Sequence, residues 1–576
     1  MQQLRIIDTL SPFCLQNDQR LINWSKIDFS NIETHVALTG KTQRLIVSRF
    51  EAYLEEAAAL GFNAISIDDL AHMVAHLFYD PPLRARLAQY EQLYKKLFSI
   101  ARTKGFDIFI NTDYVFHNPA IDRHLAQTST TVETFFVSTL ETLFRLFPEV
   151  KGIILRIGEQ DGVDVAGDFL SRLEIQTPQQ ARRVLTALLA VCERAEKTLI
   201  FRTWTVGAHK IGDLIWNPAT FDKIFSSIDS NSLVISLKFG DTDFMRNLVL
   251  NPLFFRTDHK KIIEVQTRRE WEGMGQYPSF VGWDYARYFA RLRKSPDVIG
   301  MHVWCQTGGW AKNTWSNTTF LDNASFWNEL NTFVTAQLFN KHVSVEDAII
   351  AFCAQRHIAN PAKFIELLRL AEQAIHEGLY IREYAEQALY LRRTRLPTLF
   401  WIAWDTILLD RMALTILRTY IQHPERAVQE GHDAAKAISR MIELAKELRL
   451  SPPVLASLAF QHDTFLLLAE VRACIFAPGP NQNDVARLKK QYARYQKQYP
   501  QHYTLRVQAL DGIARSPSRL VQRVIAILLR RTPAYRALDK VMLFTSPLQR
   551  MIARQYFKKS TPLLTKQSMG IETIFK

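Results

Sequence analysis

Long apolar runs, cysteine and glycine are all scarce in this chain of 576 residues. No window approaches the roughly 18 uncharged apolar residues of a membrane-spanning helix, so we expect no such helix. The 5 cysteines are widely spaced without a Cys-x-x-Cys pair, which argues against a disulfide scaffold or a zinc module and favours a reducing compartment. The N-terminus shows no basic start followed by an apolar run, so no secretory signal is expected. These absences predict a cytoplasmic protein.

Positive charge is unevenly distributed along the chain, whose formal net charge is +14. Residues 516–576 contain 12 lysines and arginines against only Asp539 and Glu572, so this last tenth carries 12 − 2 = +10. The remainder is nearly neutral, which makes the basic excess a property of the tail. Because the tail has few aromatic side chains and no recognition module, we do not expect nucleic-acid binding.

Short apolar runs alternate with amphipathic segments over the first 340 residues. Most of these runs are continuously apolar, as in a parallel sheet buried on both faces. The eight runs cover residues 36–38, 64–67, 107–111, 152–157, 198–203, 233–238, 262–266 and 298–304. Eight strands joined by helices predict a (β/α)8 TIM barrel over residues 33–340, preceded by an extension at residues 1–32. An open doubly wound sheet is the alternative, less favoured because no GxGxxG follows the first strand.

The pattern changes after residue 340. Long segments of helical period predict an all-helical domain over residues 341–510, and residues 511–576 form a basic amphipathic region. Within that region, residues 519–531 and 548–557 place apolar blocks between arginines. Such a segment can lie on an anionic membrane surface, or it can pack its apolar face on the helical domain. The first alternative would make the protein peripheral on the inner membrane face.

The chemistry of a TIM barrel lies where its strands end, at the carboxyl face. The predicted strand ends, and the segments that follow them, carry the binding candidates Asp113, Tyr114, Arg202, Trp204, Lys238, Gln266, Trp271, His302 and Trp304. Amides, carboxylates, a guanidinium and indoles on one rim are typical of a carbohydrate site, because tryptophans stack on sugar rings and carboxyl groups supply acid and base. Each also has a structural alternative: Arg202 could neutralise a neighbouring carboxylate, His302 could be a hydrogen-bonded core residue, and Trp304 could be packing.

Residues 152–273 resemble the catalytic core of the family 67 α-glucuronidases. Residues 158–160 (GEQ) are similar to that family's acid motif, residues 201–206 (FRTWTV) to a following aromatic segment, and residues 238–244 (KFGDTDF) to its Lys-Asn-Gly-x-x-Asp-Phe. Residues 252–254 (PLF) recur after it, and residues 264–273 (EVQTRREWEG) echo its last motif. The sequence departs in lacking the family's N-terminal β domain, the lysine before the acid and the glycine after it.

The resemblance implies a glycosidase in which Glu159 is the general acid. Asp243 and Glu270 would activate water on the opposite side, which implies inversion of the anomeric centre. Arg202 and Lys238 could read an anionic sugar such as a uronic acid. A glycan-processing enzyme or transferase tied to polysaccharide synthesis, and a non-catalytic glycan-binding barrel, remain alternatives. No cofactor is implied, and the absence of HxH and HExxH patterns predicts no metal site.

Overall fold

Eight parallel strands close into a barrel, so the predicted TIM barrel is confirmed. The computed structural model describes residues 3–15, 26–27, 29, 32, 38, 40–158, 160, 167–205, 207–306, 319–321, 324–399, 402–403, 406–409, 411–476, 482–499, 505–507, 518–530, 541, 547–548 and 551. The strands are β1 Leu4–Asp8, β2 Ala64–Asp68, β3 Asp107–Asp113, β4 Gly152–Arg156, β5 Thr198–Arg202, β6 Leu233–Lys238, β7 Lys261–Gln266 and β8 Val298–Trp304. Each strand pairs with the next along the chain, and β8 returns to β1.

The first strand differs from the prediction. Leu4–Asp8 pairs with β8, where Ile6 lies beside His302, and with β2 on its other side. Residues 36 and 37 lie outside the described residues, and Leu38 is not in a strand. The extension predicted at residues 1–32 is therefore wrong, because the barrel begins within it. A five-residue run containing an arginine is a weak strand signal by itself, and pairing on both edges determines its conformation.

Helices cover the barrel between its strands. They are α1 Gly40–Ala59, α2 Leu70–Met73, α3 Pro81–Thr103, α4 Pro119–Gln127, α5 Val132–Leu146, α6 Pro178–Arg194, α7 Pro218–Phe225, α8 Gly282–Leu292 and α9 Phe326–Asn340. Helix α6 shows how the local sequence determines where a helix begins. Thr177 and Gln180 form a reciprocal capping box around Pro178 at its amino end.

The barrel interior changes from apolar to polar along the strand direction. At the amino ends, one side chain from each of seven strands forms an apolar layer: Ile6, Ala64, Phe109, Ile154, Ile200, Val234 and Ile262. Because side chains alternate across a strand, the position two residues further faces the same way. Those positions hold buried polar side chains, which we call the inner polar layer: Asp8, Ser66, Asn111, Arg156, Arg202, Ser236 and Glu264. The polar end of the interior thus coincides with the carboxyl ends of the strands, where TIM-barrel sites lie.

A mainly helical region follows the barrel. Its helices are α10 Val345–Gln355, α11 Pro361–Ala374, α12 Arg382–Ala385, α13 Arg411–Tyr420, α14 Pro424–Glu447, α15 Pro452–Phe476 and α16 Gln482–Gln498, with a π-helical turn at Ile375–Leu379. The all-helical pattern predicted over residues 341–510 is interrupted, because the chain forms short strands before α13. These strands are Ile402–Ala403 and Thr406–Leu409, with Leu505–Val507 beside them. The tail contributes α17, Arg519–Leu528.

One described helix, α15, is long and apolar enough to cross a membrane, with a mean hydropathy of 1.3 over its most apolar window. The sequence shows no long uncharged apolar run here, because Asp463, Glu470 and Arg472 interrupt the apolar residues of this helix. In the structure α15 packs along α14, and 61% of the window is buried inside the protein. Arg472 is fully buried and donates to the backbone carbonyls of Gly378 and Tyr380. We therefore interpret α15 as the central helix of the helical region.

Candidate functional site

Arg202 and Glu264 form a buried ion pair in the inner polar layer. Nη2 of Arg202 lies 2.7 Å from Oε2 of Glu264, and its Nε lies 3.0 Å from Oε1. Ser236 Oγ and Trp304 Nε1 donate to the same carboxylate at 2.7 and 3.0 Å. Burial by itself would raise the pKa of Glu264, but the Arg202 charge outweighs it and lowers that pKa to about 2. Arg202 neutralises a protein carboxylate, which is the structural alternative that the sequence left open.

Asp243 is held by the lysine at the end of β6. Lys238 Nζ lies 2.5 Å from Asp243 Oδ1, and the backbone N–H of Phe244 donates to the same oxygen at 2.8 Å. The ammonium also lies 3.6 Å from the ring centroid of Trp204 and 4.3 Å from that of Phe244. Both aromatic faces favour a cation at this position. Lys238 is therefore committed to Asp243 rather than to an anionic sugar.

Glu270 lies in the loop after β7 and interacts with Asp243. Arg268 Nη2 lies 2.6 Å from Glu270 Oε2, while the backbone N–H of Glu270 donates to Gln266 Oε1 at 2.9 Å. Burial raises the pKa of Glu270; Arg268 opposes this rise, and the charge of Asp243 adds to it. The charge of Asp243 acts on Glu270, so the two carboxyl groups lie near each other at the mouth, each held by its own cation. The structure thus brings the second and third predicted catalytic residues together.

The ends of β2, β3 and β4 carry a second charged group. Arg156 Nε lies 2.8 Å from Asp113 Oδ1, and Lys26 Nζ lies 2.6 Å from Oδ2. Burial alone would raise the pKa of Asp113, but Arg156 and Lys26 hold it below its usual value. The neighbouring Asp68 is fully buried, and this burial raises its pKa to about 6. The predicted binding residue Asp113 is therefore already paired with two cations.

Three predicted binding residues are largely packing groups. Tyr114 is buried and meets Phe136 edge-on, with ring centroids 5.0 Å apart. His302 shares a hydrogen bond of 2.9 Å with Ser66 Oγ, and burial lowers its pKa to about 3, so the imidazole is neutral near pH 7. Trp271 is partly buried against the hydrophobic core. Their assignment as sugar-binding residues remains a prediction.

Glu159, the predicted general acid, lies outside the described residues, and so do residues 161–166. The described chain reaches Gly158, two residues beyond the end of β4. A Cβ at Gly158 would lie 2.4 Å from the carbonyl oxygen of Trp204, so only glycine allows this close approach. Gly158 therefore lies directly against the backbone of Trp204.

Asp8 is a member of the site that the sequence did not indicate. It ends β1 and accepts hydrogen bonds from the backbone N–H groups of Cys305 and Gln306 at 2.9 and 3.1 Å. Burial raises its pKa to about 6, and the charge of Arg268 acts against that rise. An acidic residue ending a short apolar run is the same signal that the other strand ends carry. It was hidden because the first strand was expected at residues 36–38.

Several buried polar atoms around the mouth have no hydrogen-bond partner among the described residues. They are Asp68 Oδ1, both amide atoms of Asn111, Trp204 Nε1, Glu270 Oε1 and His302 Nδ1. An unsatisfied buried polar group costs about 1–3 kcal/mol, and such groups in native proteins are usually satisfied by water or a ligand. These unpaired donors and acceptors lie at or just after the ends of five strands. Such a set suits a ligand rich in hydroxyl groups.

One hydroxyl of the helical region connects the loops that carry Asp243 and Glu270. Tyr380 Oη accepts from the backbone N–H of Arg246, three residues after Asp243, at 2.9 Å. It donates to Oε1 of Glu272, two residues after Glu270, at 2.7 Å. Arg269 Nη2 also donates to Glu272 Oε1, at 2.5 Å. We call Tyr380, Arg246 and Glu272 the loop clamp.

One group of three described side chains has the spacing for a metal ion: Asp284, Glu372 and His376. They come from α8, α11 and the π-helical turn, so no sequence motif joins them. Arg246 Nη1 lies 3.3 Å from Asp284 Oδ2, and Arg287 pairs with the other oxygen of that carboxylate. Two guanidinium groups already balance Asp284, and we assign no metal to this cluster.

No protein-family model matches this chain, and no curated protein matches it in sequence. Its fold is similar to that of solved structures. A GH138 enzyme targeting pectin rhamnogalacturonan II has a TM-score of 0.51 and 10% sequence identity over 87% of this chain and 61% of that one. The chain thus spans less than two thirds of that enzyme's length.

Two other structures align more loosely. An O-GlcNAc hydrolase from Thermobaculum terrenum has a TM-score of 0.38 and 11% identity over 87% of this chain and 94% of its own. CpGH84B has the same TM-score of 0.38, with 12% identity over 91% of this chain and 76% of its own. The similarity establishes the fold, a barrel of the kind found in glycoside hydrolases. It does not bear on the resemblance to family 67.

Proposed function

We propose that this chain is a glycoside hydrolase acting on an oligo- or polysaccharide. The observation that carries the proposal is a pair of buried carboxylates at the barrel mouth, Asp243 and Glu270, each held by its own cation. Asp243 is paired with Lys238, and Glu270 is paired with Arg268. Two carboxylates at the mouth can hold a water molecule and take its proton, which is the base half of the acid–base hydrolysis of an acetal.

In the proposed reaction, Glu159 gives a proton to the leaving glycosidic oxygen. The Asp243–Glu270 pair takes a proton from a water molecule, whose oxygen attacks the anomeric carbon as the old bond breaks. Glu270 Oε1 has no hydrogen-bond partner among the described residues, so it has a lone pair for that proton. A carboxyl separation of about 6.5–9.5 Å across the bond would leave room for the water and would invert the anomeric centre.

The surrounding groups support a carbohydrate as the ligand. The unpaired polar atoms of Asn111, Trp204 and His302 supply donors and acceptors for sugar hydroxyls. Trp204 also offers an indole that is only partly buried. The fold similarity to an enzyme targeting pectin rhamnogalacturonan II is in keeping with this ligand class. These features favour an active hydrolase over a structural barrel.

Specificity for a uronic acid is a finer question. Arg202 and Lys238, the two cations that the sequence proposed as readers of an anionic sugar, are paired with Glu264 and Asp243. They therefore give no support to an α-glucuronidase-like preference. We propose that neutral and acidic glycans both belong among the candidate substrates.

A panel of aryl glycosides and of neutral and uronic-acid oligosaccharides tests the proposal. Proton NMR of the first product anomer distinguishes inversion from retention. We expect release of an inverted sugar by the wild-type chain and no release by Glu159→Gln. Binding of a glycan without cleavage, unchanged in Glu159→Gln and Glu270→Gln, would show a glycan-binding barrel instead. Transfer to an added acceptor sugar in place of water would show a transferase.

A further inference from the structure

The tail helix α17 exposes an apolar face. Leu520 is 72% exposed, and Val521, Val524 and Ile527 are each 44–46% exposed. At 3.6 residues per turn, Leu520, Val524 and Ile527 lie within about 60° of one another around the helix. We call these four side chains the α17 apolar face. Exposed aliphatic groups that are adjacent on one helix, rather than scattered, mark an interaction surface.

The opposite side of α17 is attached to the helical region. Leu529 is buried, and its carbonyl accepts from the backbone N–H of Tyr390 at 2.8 Å. Tyr420 Oη donates to the carbonyl of Ile525 at 3.3 Å, and the Arg530 guanidinium lies 5.4 Å from the Tyr420 ring centroid. The helix is therefore fixed by one side. This attachment leaves the apolar face outward, so the face does not pack on the helical region as one of the two sequence alternatives expected.

Positive charge borders the apolar face. Arg519 and Arg523 are exposed and, by helical geometry, lie side by side next to Ile527. Both arginines belong to the last 61 residues of the chain, which contain 12 basic and 2 acidic residues. A bilayer interface that contains anionic phospholipid matches this combination, since aliphatic groups enter the acyl boundary while arginines reach the headgroup phosphates.

A second copy of the chain fits the face less well. The helix has 10 residues, about 15 Å of length, and four aliphatic side chains cover far less than the roughly 1,000 Å² of a stable protein interface. Pairing two such faces would also bring the arginines of both copies together. We infer that α17 docks the protein on an anionic phospholipid bilayer. The cytoplasmic leaflet carries such lipids, which fits the reducing compartment that the cysteine content favours.

Co-sedimentation of the full chain with vesicles tests this inference. The vesicles are phosphatidylcholine alone or phosphatidylcholine mixed with phosphatidylglycerol. We expect the wild type to pellet with the mixed vesicles and to stay in the supernatant with phosphatidylcholine alone. Equal pelleting with both, or with neither, would overturn the inference.

Paired variants locate the surface. Leu520→Gln/Val524→Gln and Arg519→Glu/Arg523→Glu should each lower the partition coefficient roughly tenfold or more. Their matched controls change other exposed residues outside the tail. Leu77→Gln/Val249→Gln alters aliphatic side chains that are 90% and 69% exposed, and Lys96→Glu/Arg102→Glu makes the same change in net charge on α3. The controls should pellet like the wild type.

Two outcomes would contradict the assignment. Loss of binding in the controls to the same extent as in the α17 variants would show a general charge or folding effect. A change of oligomeric state in Leu520→Gln/Val524→Gln by light scattering, with vesicle binding unchanged, would assign the face to a second copy. Circular dichroism of each variant identifies any loss of helix content.

Discussion

Tyr380 Oη lies 2.7 Å from Glu272 Oε1, and this hydrogen bond joins the helical region to the loop that carries Glu270. The same hydroxyl accepts from Arg246 N–H in the loop that carries Asp243. A side chain from outside the barrel therefore adds two hydrogen bonds to the direct Arg246–Glu272 ion pair between the two loops. This gives the helical region a role in the site that the barrel alone does not supply.

Tyr380→Phe should lower kcat and leave KM nearly unchanged. Without the hydroxyl the loop clamp loses both hydrogen bonds, and a displacement of about 1 Å at the carboxyl groups can cost on the order of 100-fold in rate. Tyr384→Phe is the matched control, because it removes a buried hydroxyl of the same region that donates to Pro397 O at 3.2 Å. Steady-state kinetics well below both melting temperatures checks this. Equal kcat values for the two variants would show that Tyr380 is merely structural.

Arg268→Gln should move the acidic limb of the pH–activity profile to higher pH. The proposed base must be deprotonated, and Arg268 lowers the pKa of Glu270 against the effect of burial. Removing the cation lets that pKa rise, so more base is protonated at a given pH and activity declines sooner on acidification. Arg183→Gln, which removes a surface ion pair with Glu133, is the control and should leave the limb in place. A limb that stays in place in Arg268→Gln, or shifts to lower pH, would exclude Glu270 as the base.

Asn111→Leu should stabilise the free protein while weakening catalysis. Asn111 is fully buried, and neither amide atom has a hydrogen-bond partner in the described part of the chain. Removing an unsatisfied amide recovers about 1–3 kcal/mol in the free energy of unfolding. If a substrate hydroxyl satisfies that amide, kcat/KM should fall by about 10- to 100-fold. Denaturant unfolding and kinetics on the same sample check both signs, and a stabilised variant with full activity would place the substrate elsewhere.

Glu264→Gln should destabilise the protein in a pH-dependent way. The variant leaves Arg202 buried without its charge partner, which costs about 3–5 kcal/mol near pH 7. The pKa of Glu264 is about 2 in the folded state against 4.5 normally, so its contribution is complete above pH 4.5 and is lost as the pH falls towards 2. The difference in unfolding free energy should therefore shrink as the pH falls from about 4.5 to about 2, which is about a tenfold change in the folding constant per pH unit. A pH-independent difference would contradict the assigned ion pair.

The sequence predicted most of the barrel because its strands are short, mostly apolar and separated by helices with recognisable caps. Seven of the eight predicted runs coincide with strands of the closed barrel. The prediction of the first strand at residues 36–38 was wrong. The true first strand, Leu4–Asp8, has little signal of its own and depends on pairing with two neighbours. The all-helical prediction for residues 341–510 missed the short strands before α13 for a similar reason, since Thr406–Leu409 pairs with Leu505–Val507, nearly a hundred residues later.

The site was partly predictable. Asp243 and Glu270 follow the ends of β6 and β7, and that position alone places them at the mouth. The partners of each charge could not be foreseen: Arg202 pairs with a carboxylate two strands away, and Lys238 pairs with one in the loop that follows its own strand. The loop clamp was beyond sequence reasoning, because Tyr380 lies more than a hundred residues from Glu272.

The most direct test of the account is single-turnover cleavage of a bound glycan by Glu270→Gln compared with the wild type. Glutamine keeps the shape and can still accept from Arg268, but it cannot take a proton from water. The account predicts that the glycan still binds and that the cleavage rate falls by about a thousandfold or more. Cleavage at the wild-type rate by the folded variant would contradict the central claim that Asp243 and Glu270 together activate water.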